Sequence, residues 1–431
     1  MSRPTLPSVI GQQHDPLLIS QAVRGVIECW GSLRGVCGWL ALTTRKVVSP
    51  DTVRNWLLRL GCHLLQRPIE RRDDWVVFID HTMVLGSSRC LLVLGTSLRR
   101  WQAKKGALAH SDMQVLMVEV VTTSNGVVVN DQLRRLIARI GVPVQIVSDH
   151  GTDLTRGIEL LSQSYPEVVD TYDVGHKLAC LLKAELEPDP RWQEFLRRAG
   201  QTRAFLQQAA GGVPRPPALR TKARYQNLEP LLAWGLELLR WNHPGLDDRL
   251  ARQRGDTPTE ARRWFDQKVG WVGDFAGDLA RWQSLLSIIE QTQRQIREDG
   301  LHAASAETLR RRSTPIDVRG RQFAERVREF IADQCRRVPN GQRYLGCSAV
   351  IESIFGKYKS YLERSPSPSL GANVLLFPLF VTGITPKLVA EALRTVKHQT
   401  IQKFTEGLGG PSQRRLRLEL RPPLTMSTHP A

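Results

Sequence analysis

Between Trp75 and Leu186 the chain reads as three strands, then helix, strand, helix, strand, helix, and no other feature constrains its fold as much. The first three strands are WVVFID (Trp75 to Asp80), CLLVLGTS (Cys90 to Ser97) and MQVLMVEVVT (Met113 to Thr122). Each is a short apolar run rich in β-branched residues and bounded by polar ones. DQLRRLIARIG, from Asp131, is amphipathic and stops at glycine, as a helix does. VPVQIVSD then forms a fourth strand closing on Asp149, GTDLTRGIELLSQSYP a further helix, VVDTYD (Val168 to Asp173) a fifth strand, and VGHKLACLLKAEL another helix. This is an α/β domain.

Helical sequence lies on either side. Residues 18–66 read as helices: SLRGVCGWLAL (Ser32 to Leu42), a polar connection TTRKVV, then SPDTVRNWLLRLG. Ser49 is placed to cap that last helix and Pro50 to open it. Val53, Trp56, Leu57 and Leu60 give it a buried face, leaving Arg54, Asn55 and Arg59 more exposed. Two helices around a brief turn, the second carrying polar and basic residues, suit a helix-turn-helix DNA reader. From about Glu187 to Gly341 the strand pattern is absent, and the sequence is helical and rich in Arg and Trp, with a loop at GGVPRPPALR (Gly211 to Arg220). More helix follows to about residue 405, then a basic tail containing RRLRLELRPP.

A formal charge of +18 over 431 residues points to a polyanionic partner. The apolar run VLLFPLFVTGITP is too short and too broken to span a bilayer, and the N-terminus lacks a secretory signal pattern. The seven scattered cysteines contain no CxxC pair, so neither a zinc site nor a disulfide framework is expected. The expectation is a cytoplasmic, nucleoid-associated protein with no membrane partner.

Three carboxylates carry the chemical reading. Asp80 and Asp149 each follow a buried strand run, where a charge is costly unless paired or ligated, and chemistry in open sheets gathers at the carboxyl ends of strands. In CSAVIESIFGKYK, Val350, Ile351, Ile354, Phe355 and Tyr358 form one apolar helical stripe. Glu352 lies just off that stripe and Lys359 falls in line with it. Two aspartates and a glutamate make an all-oxygen site suited to Mg²⁺ or Mn²⁺, and two such ions about 4 Å apart serve phosphodiester chemistry. Asp153 is a competitor to Asp149, ranked lower because it lies within the following helix. Arg99, Arg100, Lys104 and Lys105, in the SLRRWQAKK stretch read as a loop, would track a nucleic-acid backbone together with an aromatic. Lys357 and Lys359 are further phosphate contacts.

FIDHT, IVSDHGTDL and VIESIFGKYK together resemble the DDE motif of RNase H-like transposases, and the resemblance covers most of the chain from Trp75 to about Tyr361. It implies an RNase H-like mixed sheet flanked by helices, with Asp80, Asp149 and Glu352 as catalytic metal ligands for two ions. The long interval before Glu352 resembles the all-α insertion domain of hAT-like and several bacterial enzymes. YDVGH, with Asp173 and His176, is similar to a C/D-x-x-H string of the same group, which adds His176 to the DNA-contacting candidates. In some insertion-sequence transposases a Y-x2-R-x3-E-x6-K signature places a DNA-contacting lysine as Lys359 stands here. Ser348 and Leu345 occupy its arginine and tyrosine positions, so only Glu352 and Lys359 carry over. Relatives also stack a tryptophan of the insertion on a flipped base; Trp192 and Trp271 are the guesses among six, most of them expected in the core.

The resulting expectation is a bacterial insertion-sequence transposase that binds double-stranded DNA, both terminal inverted repeats and target, as a homodimer or larger assembly. Its parts would be an N-terminal helix-turn-helix domain (1–70), a catalytic core (71–185 and 344–410), an all-α insertion (186–343) and a basic tail (411–431). The alternatives are a domesticated DNA-binding protein without chemistry, and an RNase H-like nuclease or resolvase.

Overall fold

The structure is a computed structural model that describes residues 14–83, 89–104, 106–206, 212–218, 225, 227–241, 243, 245–312, 317–365, 371–406 and 420. They fall into two units, one made of Met1–Asp170 with Ser348–Ala431 and the other of Thr171–Cys347.

The three N-terminal helices begin where a side-chain oxygen can accept from an otherwise unpaired backbone N–H. Asp15 accepts from Leu17 at 3.0 Å, Ser32 from Gly35 at 3.0 Å and Ser49 from Thr52 at 3.1 Å. These caps start α1 (Pro16–Ile27), α2 (Leu33–Thr44) and α3 (Pro50–Gln66). Arg45, in the left-handed region at φ 58°, closes α2 and opens the turn to α3. The burial of α3 is more extensive than its amphipathic pattern suggests. It packs against α1, α2 and the 3₁₀ segment Gly371–Phe380, and Gly61 meets Leu375 so closely that a Cβ there would lie 1.7 Å from the Leu375 carbonyl oxygen.

The sheet contains β1 (Trp75–Met83), β2 (Arg89–Ser97), β3 (Gln114–Val121), β4 (Gln145–Ser148) and β5 (Val169–Tyr172), in the order β3-β2-β1-β4-β5. β1 pairs antiparallel with β2 and parallel with β4, and β2 pairs antiparallel with β3. This is the RNase H-like mixed sheet flanked by helices, as expected. β1 runs three residues beyond Asp80, because the pairing with β2 continues to Met83↔Arg89. SLRRWQAKK, expected as a loop, is mostly a short helix, α4 (Leu98–Lys104): the Ser97 hydroxyl accepts from the Arg100 N–H at 3.2 Å, and Trp101 is buried. α5 (Gly126–Ile140) starts five residues before Asp131, since Asn125 accepts from the N–H groups of both Val127 and Val128.

α5 and α6 (Thr152–Ser162) cover one face of the sheet, where Trp75, Val77, Ile79, Leu91, Val93 and Ile146 join their buried residues in one core. Side chains alternate across a strand, so Val76, Phe78 and Asp80 take the opposite face.

The second unit is helical: α7 (Val174–Leu186), α8 (Pro190–Leu206), α9 (Glu229–Arg240), α10 (Leu246–Arg254), α11 (Pro258–Lys268), α12 (Ala276–Asp299), α13 (Ser305–Arg312) and α14 (Val318–Arg336). Its centre is aromatic. Trp192 is fully buried edge-on to Trp282 at 4.8 Å, with Phe195, Phe275, Trp234 and Trp271 around them. Trp192 and Trp271 are therefore core residues, which corrects the expectation that either stacks on a base. The Trp271 indole N–H is also spent on the Thr202 hydroxyl at 3.0 Å.

After this unit the first one resumes with α15 (Ala349–Arg364), the 3₁₀ segment, α16 (Pro386–Thr395) and α17 (His398–Thr405). No helix among the described residues is long and apolar enough to cross a membrane; VLLFPLF is buried 3₁₀ backbone interrupted by Pro378.

Candidate functional site

The parallel register of β1 and β4 sets two aspartates at neighbouring strand ends. The last paired residues are Ile79 and Ser148, so Asp80 and Asp149 each stand one step beyond the same rung, on strands roughly 5 Å apart. Ile146 shares the α5/α6 core with Val77 and Ile79. Continuing the alternation by one residue puts Asp149 on the same side of the sheet as Val147, Phe78 and Asp80. Both aspartates are half-buried. Asp149 Oδ1 accepts from the Gly151 N–H at 2.9 Å and Asp80 Oδ1 from the His81 N–H at 2.6 Å.

α15 covers this same face. It packs on β1, and its buried residues are separate from the α5/α6 core. Cys90 and Leu92 are the β2 neighbours on Asp80's side, and Asp80 is paired with Leu92. Val350, Ile351, Ile354, Phe355 and Tyr358 are buried as one stripe, and Tyr358 packs on Phe377 at 4.3 Å between ring centroids. Glu352, in the first turn of α15, is exposed beside that stripe, as is Lys359 further along. Lys357 is half-buried and its Nζ stands 2.9 Å from His110 Nδ1, while His110 Nε2 stands 3.1 Å from the Ser353 hydroxyl. Burial lowers the Lys357 ammonium below its ordinary value; burial, and then the Lys357 charge, lower the His110 imidazole. A lysine donating to Nδ1 leaves the other ring N–H to donate to Ser353.

Beside the aspartates lie further groups, of which the sequence singled out only Asp153. His81, the residue after Asp80, points to the other face, where its Nδ1 is 3.6 Å from Asp153 and its Nε2 3.4 Å from the Ser124 hydroxyl. Burial lowers the His81 imidazole against the opposing pull of Asp153 and Asp149. Asp153 is held by Arg89 at 3.0 Å. Burial acts to raise its carboxyl, but the Ser124 hydroxyl, His81 and backbone N–H groups outweigh it and hold it below the ordinary range. His150 takes a left-handed backbone at φ 55°, and its Nε2 is 3.1 Å from Asp170 Oδ1. None of these contacts has a local sequence signal, because each joins separate elements.

The basic candidates are differently placed. Arg59 donates to the Val396 carbonyl at 2.8 Å and to the Leu393 carbonyl, so it caps the C-terminal end of α16. Arg54 and Asn55 are half-buried on α3. Arg99 pairs with Asp73 and Asp74, Lys104 with Asp112 at 2.6 Å, and Arg100 is exposed. His176, in the helical unit, gives its backbone N–H to Asp173 at 2.6 Å, which makes the D-x-x-H string the N-terminal cap of α7. Lys105 and, Leu420 apart, the tail from residue 411 lie outside the described residues.

Two in-register aspartates offer hard oxygen donors of the type Mg²⁺ or Mn²⁺ takes. Among the described residues, no group of three or more His, Cys, Asp or Glu side chains is gathered closely enough to hold a metal ion. The donor type therefore fits such an ion, and the described geometry supplies the pair rather than a closed three-carboxylate cage.

No family model matches the chain. No curated protein matches it either. Among solved structures it is similar to a Drosophila P element transposase strand transfer complex, at 13% identity and a TM-score of 0.36, over 89% of this chain and 92% of that one.

Proposed function

We propose that this chain is a DDE-type DNA transposase of the bacterial insertion-sequence kind, cutting and joining DNA at element ends. The observation that carries the reading is the register of Asp80 and Asp149, two half-buried carboxylates one step past the last paired rung of neighbouring parallel strands. Such a pair is costly to bring together unless a cation or proton separates the charges, and it stands on the sheet face that α15 covers. In this reading Asp80 and Asp149 hold the divalent ion, with Glu352 as the third donor from the first turn of α15. A bound ion of this class activates a water or 3′-hydroxyl and stabilises the leaving oxygen of a phosphodiester.

The chain's own residues have separate tasks. The exposed Lys359 steadies the DNA backbone near the cut, and the Lys357–His110–Ser353 chain keeps a positive charge and a hydroxyl beside Glu352 on the same helix. The net charge of +18 supplies the sequence-independent attraction for duplex DNA that an end-binding protein needs. The α2–turn–α3 pair is read as the DNA-binding module, with Arg54 and Asn55 on its second helix. Two DNA ends held together imply a dimer or larger assembly.

The test is cleavage of duplexes taken from the DNA flanking the coding sequence. Wild type should cut at one position with Mg²⁺ or Mn²⁺, while Asp80→Asn, Asp149→Asn and Glu352→Gln bind the duplex but fail to cut. The exposure of Glu352 favours a second reading, a DNA-binding protein without chemistry. Binding by wild type with no cleavage under any divalent ion would establish that second reading instead.

A further inference from the structure

The residue that follows Asp149 adopts a conformation glycine could take without cost, yet it is a histidine. Among the described residues only Trp30, Arg45 and His150 have positive φ without being glycine, and the first two lie in turns of the N-terminal helices. A left-handed backbone is strained for a residue with a Cβ and persists where surrounding contacts hold it. The imidazole at this position makes a contact that a glycine could not.

What it brings is a bond across the sheet edge. His150 Nε2 reaches Asp170 Oδ1 at 3.1 Å, and both side chains are mostly buried, at 16% and 24% exposure. Asp170 belongs to β5, the neighbour of β4, so the bond ties the β4–α6 turn to the adjacent strand. The same turn orients Asp149. Ser148 Oγ accepts from the His150 N–H at 3.3 Å, and Asp149 Oδ1 accepts from the Gly151 N–H at 2.9 Å. Gly151 caps α6 without a side chain, and the first turn of that helix is anchored separately through Asp153, held by Arg89 at 3.0 Å.

We infer that the His150–Asp170 pair is a positioning device for the Asp149 carboxylate: it holds the left-handed turn that aims Asp149 at the site. The inference rests on the reading of Asp149 as a metal-holding residue. Its parts act in series, with Asp170 fixing the imidazole, the imidazole fixing the His150 backbone, and that backbone presenting the Gly151 N–H to Asp149. Groups of this kind, one shell behind a ligand, typically change metal affinity or activity by about ten- to a hundredfold when removed.

The experiment uses the full chain and four variants: His150→Gly, His150→Ala, Asp170→Ala and Asp170→Asn. Two quantities are measured, Mn²⁺ binding to the protein alone by electron paramagnetic resonance and the Mn²⁺ concentration giving half-maximal DNA cleavage. Both midpoints should rise about tenfold or more in His150→Gly and Asp170→Ala. Asp170→Asn should stay within about threefold of wild type, because an amide oxygen still accepts from the imidazole N–H. Its near-normal behaviour also shows that the site tolerates substitution without unfolding. If His150→Gly matches wild type while His150→Ala is impaired, only the backbone matters and the tether is refuted. Equal losses in Asp170→Asn and Asp170→Ala, or wild-type behaviour in all four, would overturn it too. A wild-type chain that neither binds Mn²⁺ nor cuts DNA removes the proposed function and this inference together.

Discussion

Asp74 sits at the root of the strand that carries Asp80, and replacing it by asparagine should weaken that strand in a pH-dependent way. Asp74 is 4% exposed, and its carboxylate receives Arg72 Nε at 2.8 Å, the Ser97 hydroxyl, and the Arg99 N–H at 3.4 Å. Burial by itself would raise its pKa; the bonds from Arg72 and Ser97 and the Arg72 charge outweigh that and hold it at about 2, against an ordinary 3.8. A depressed carboxyl stabilises the fold above the unfolded value and loses that contribution as pH falls through the folded one. The shift corresponds to about 2 kcal/mol at neutral pH, of which about 1 kcal/mol is gone by pH 3. Because a chain of two units need not unfold in a single step, hydrogen exchange of the β1 and β2 amides is the appropriate assay. Asp74→Asn should lower protection there by about 2 kcal/mol at pH 7, with the gap to wild type narrowing by about 1 kcal/mol at pH 3. An Asp74→Asn chain with wild-type protection at pH 7, or a gap that is the same at both pH values, would refute the argument.

Two further outcomes follow from packing. Gly61→Ala places a Cβ 1.7 Å from a backbone oxygen of the 3₁₀ segment, which cannot yield as a side chain would; it should cost about 2 kcal/mol or more by urea unfolding and loosen α3 in hydrogen exchange. Trp192→Ala should destabilise the helical unit by about 3 to 5 kcal/mol while exchange in β1 and β2 stays at wild-type rates, because Trp192 lies in a core that belongs to that unit alone.

What the sequence by itself determined is local. The apolar runs from Trp75 to Tyr172 are short, rich in β-branched residues and bounded by polar ones, which favours strands, and all five form. Ser32 and Ser49 start helices because each caps an N–H only three residues away, and Pro50 suits the first helical position because its own ring fixes φ. The stripe on α15 was legible because helical period alone aligns it. Tertiary structure decided the rest, for a common physical reason: the deciding contact is distant in the chain. The Arg59 side chain looks exposed from its helical position, but its guanidinium meets α16 carbonyls more than three hundred residues on. A tryptophan reads the same whether it stacks on a partner or on Phe195 and Trp282, and only packing buried Trp192. Asp80 and Asp149 were each visible as carboxylates after strands, whereas their shared rung comes from the parallel pairing of β1 with β4. His150 and Asp170 carried no signal at all, since a bond between a turn and a neighbouring strand exists only once the sheet has assembled.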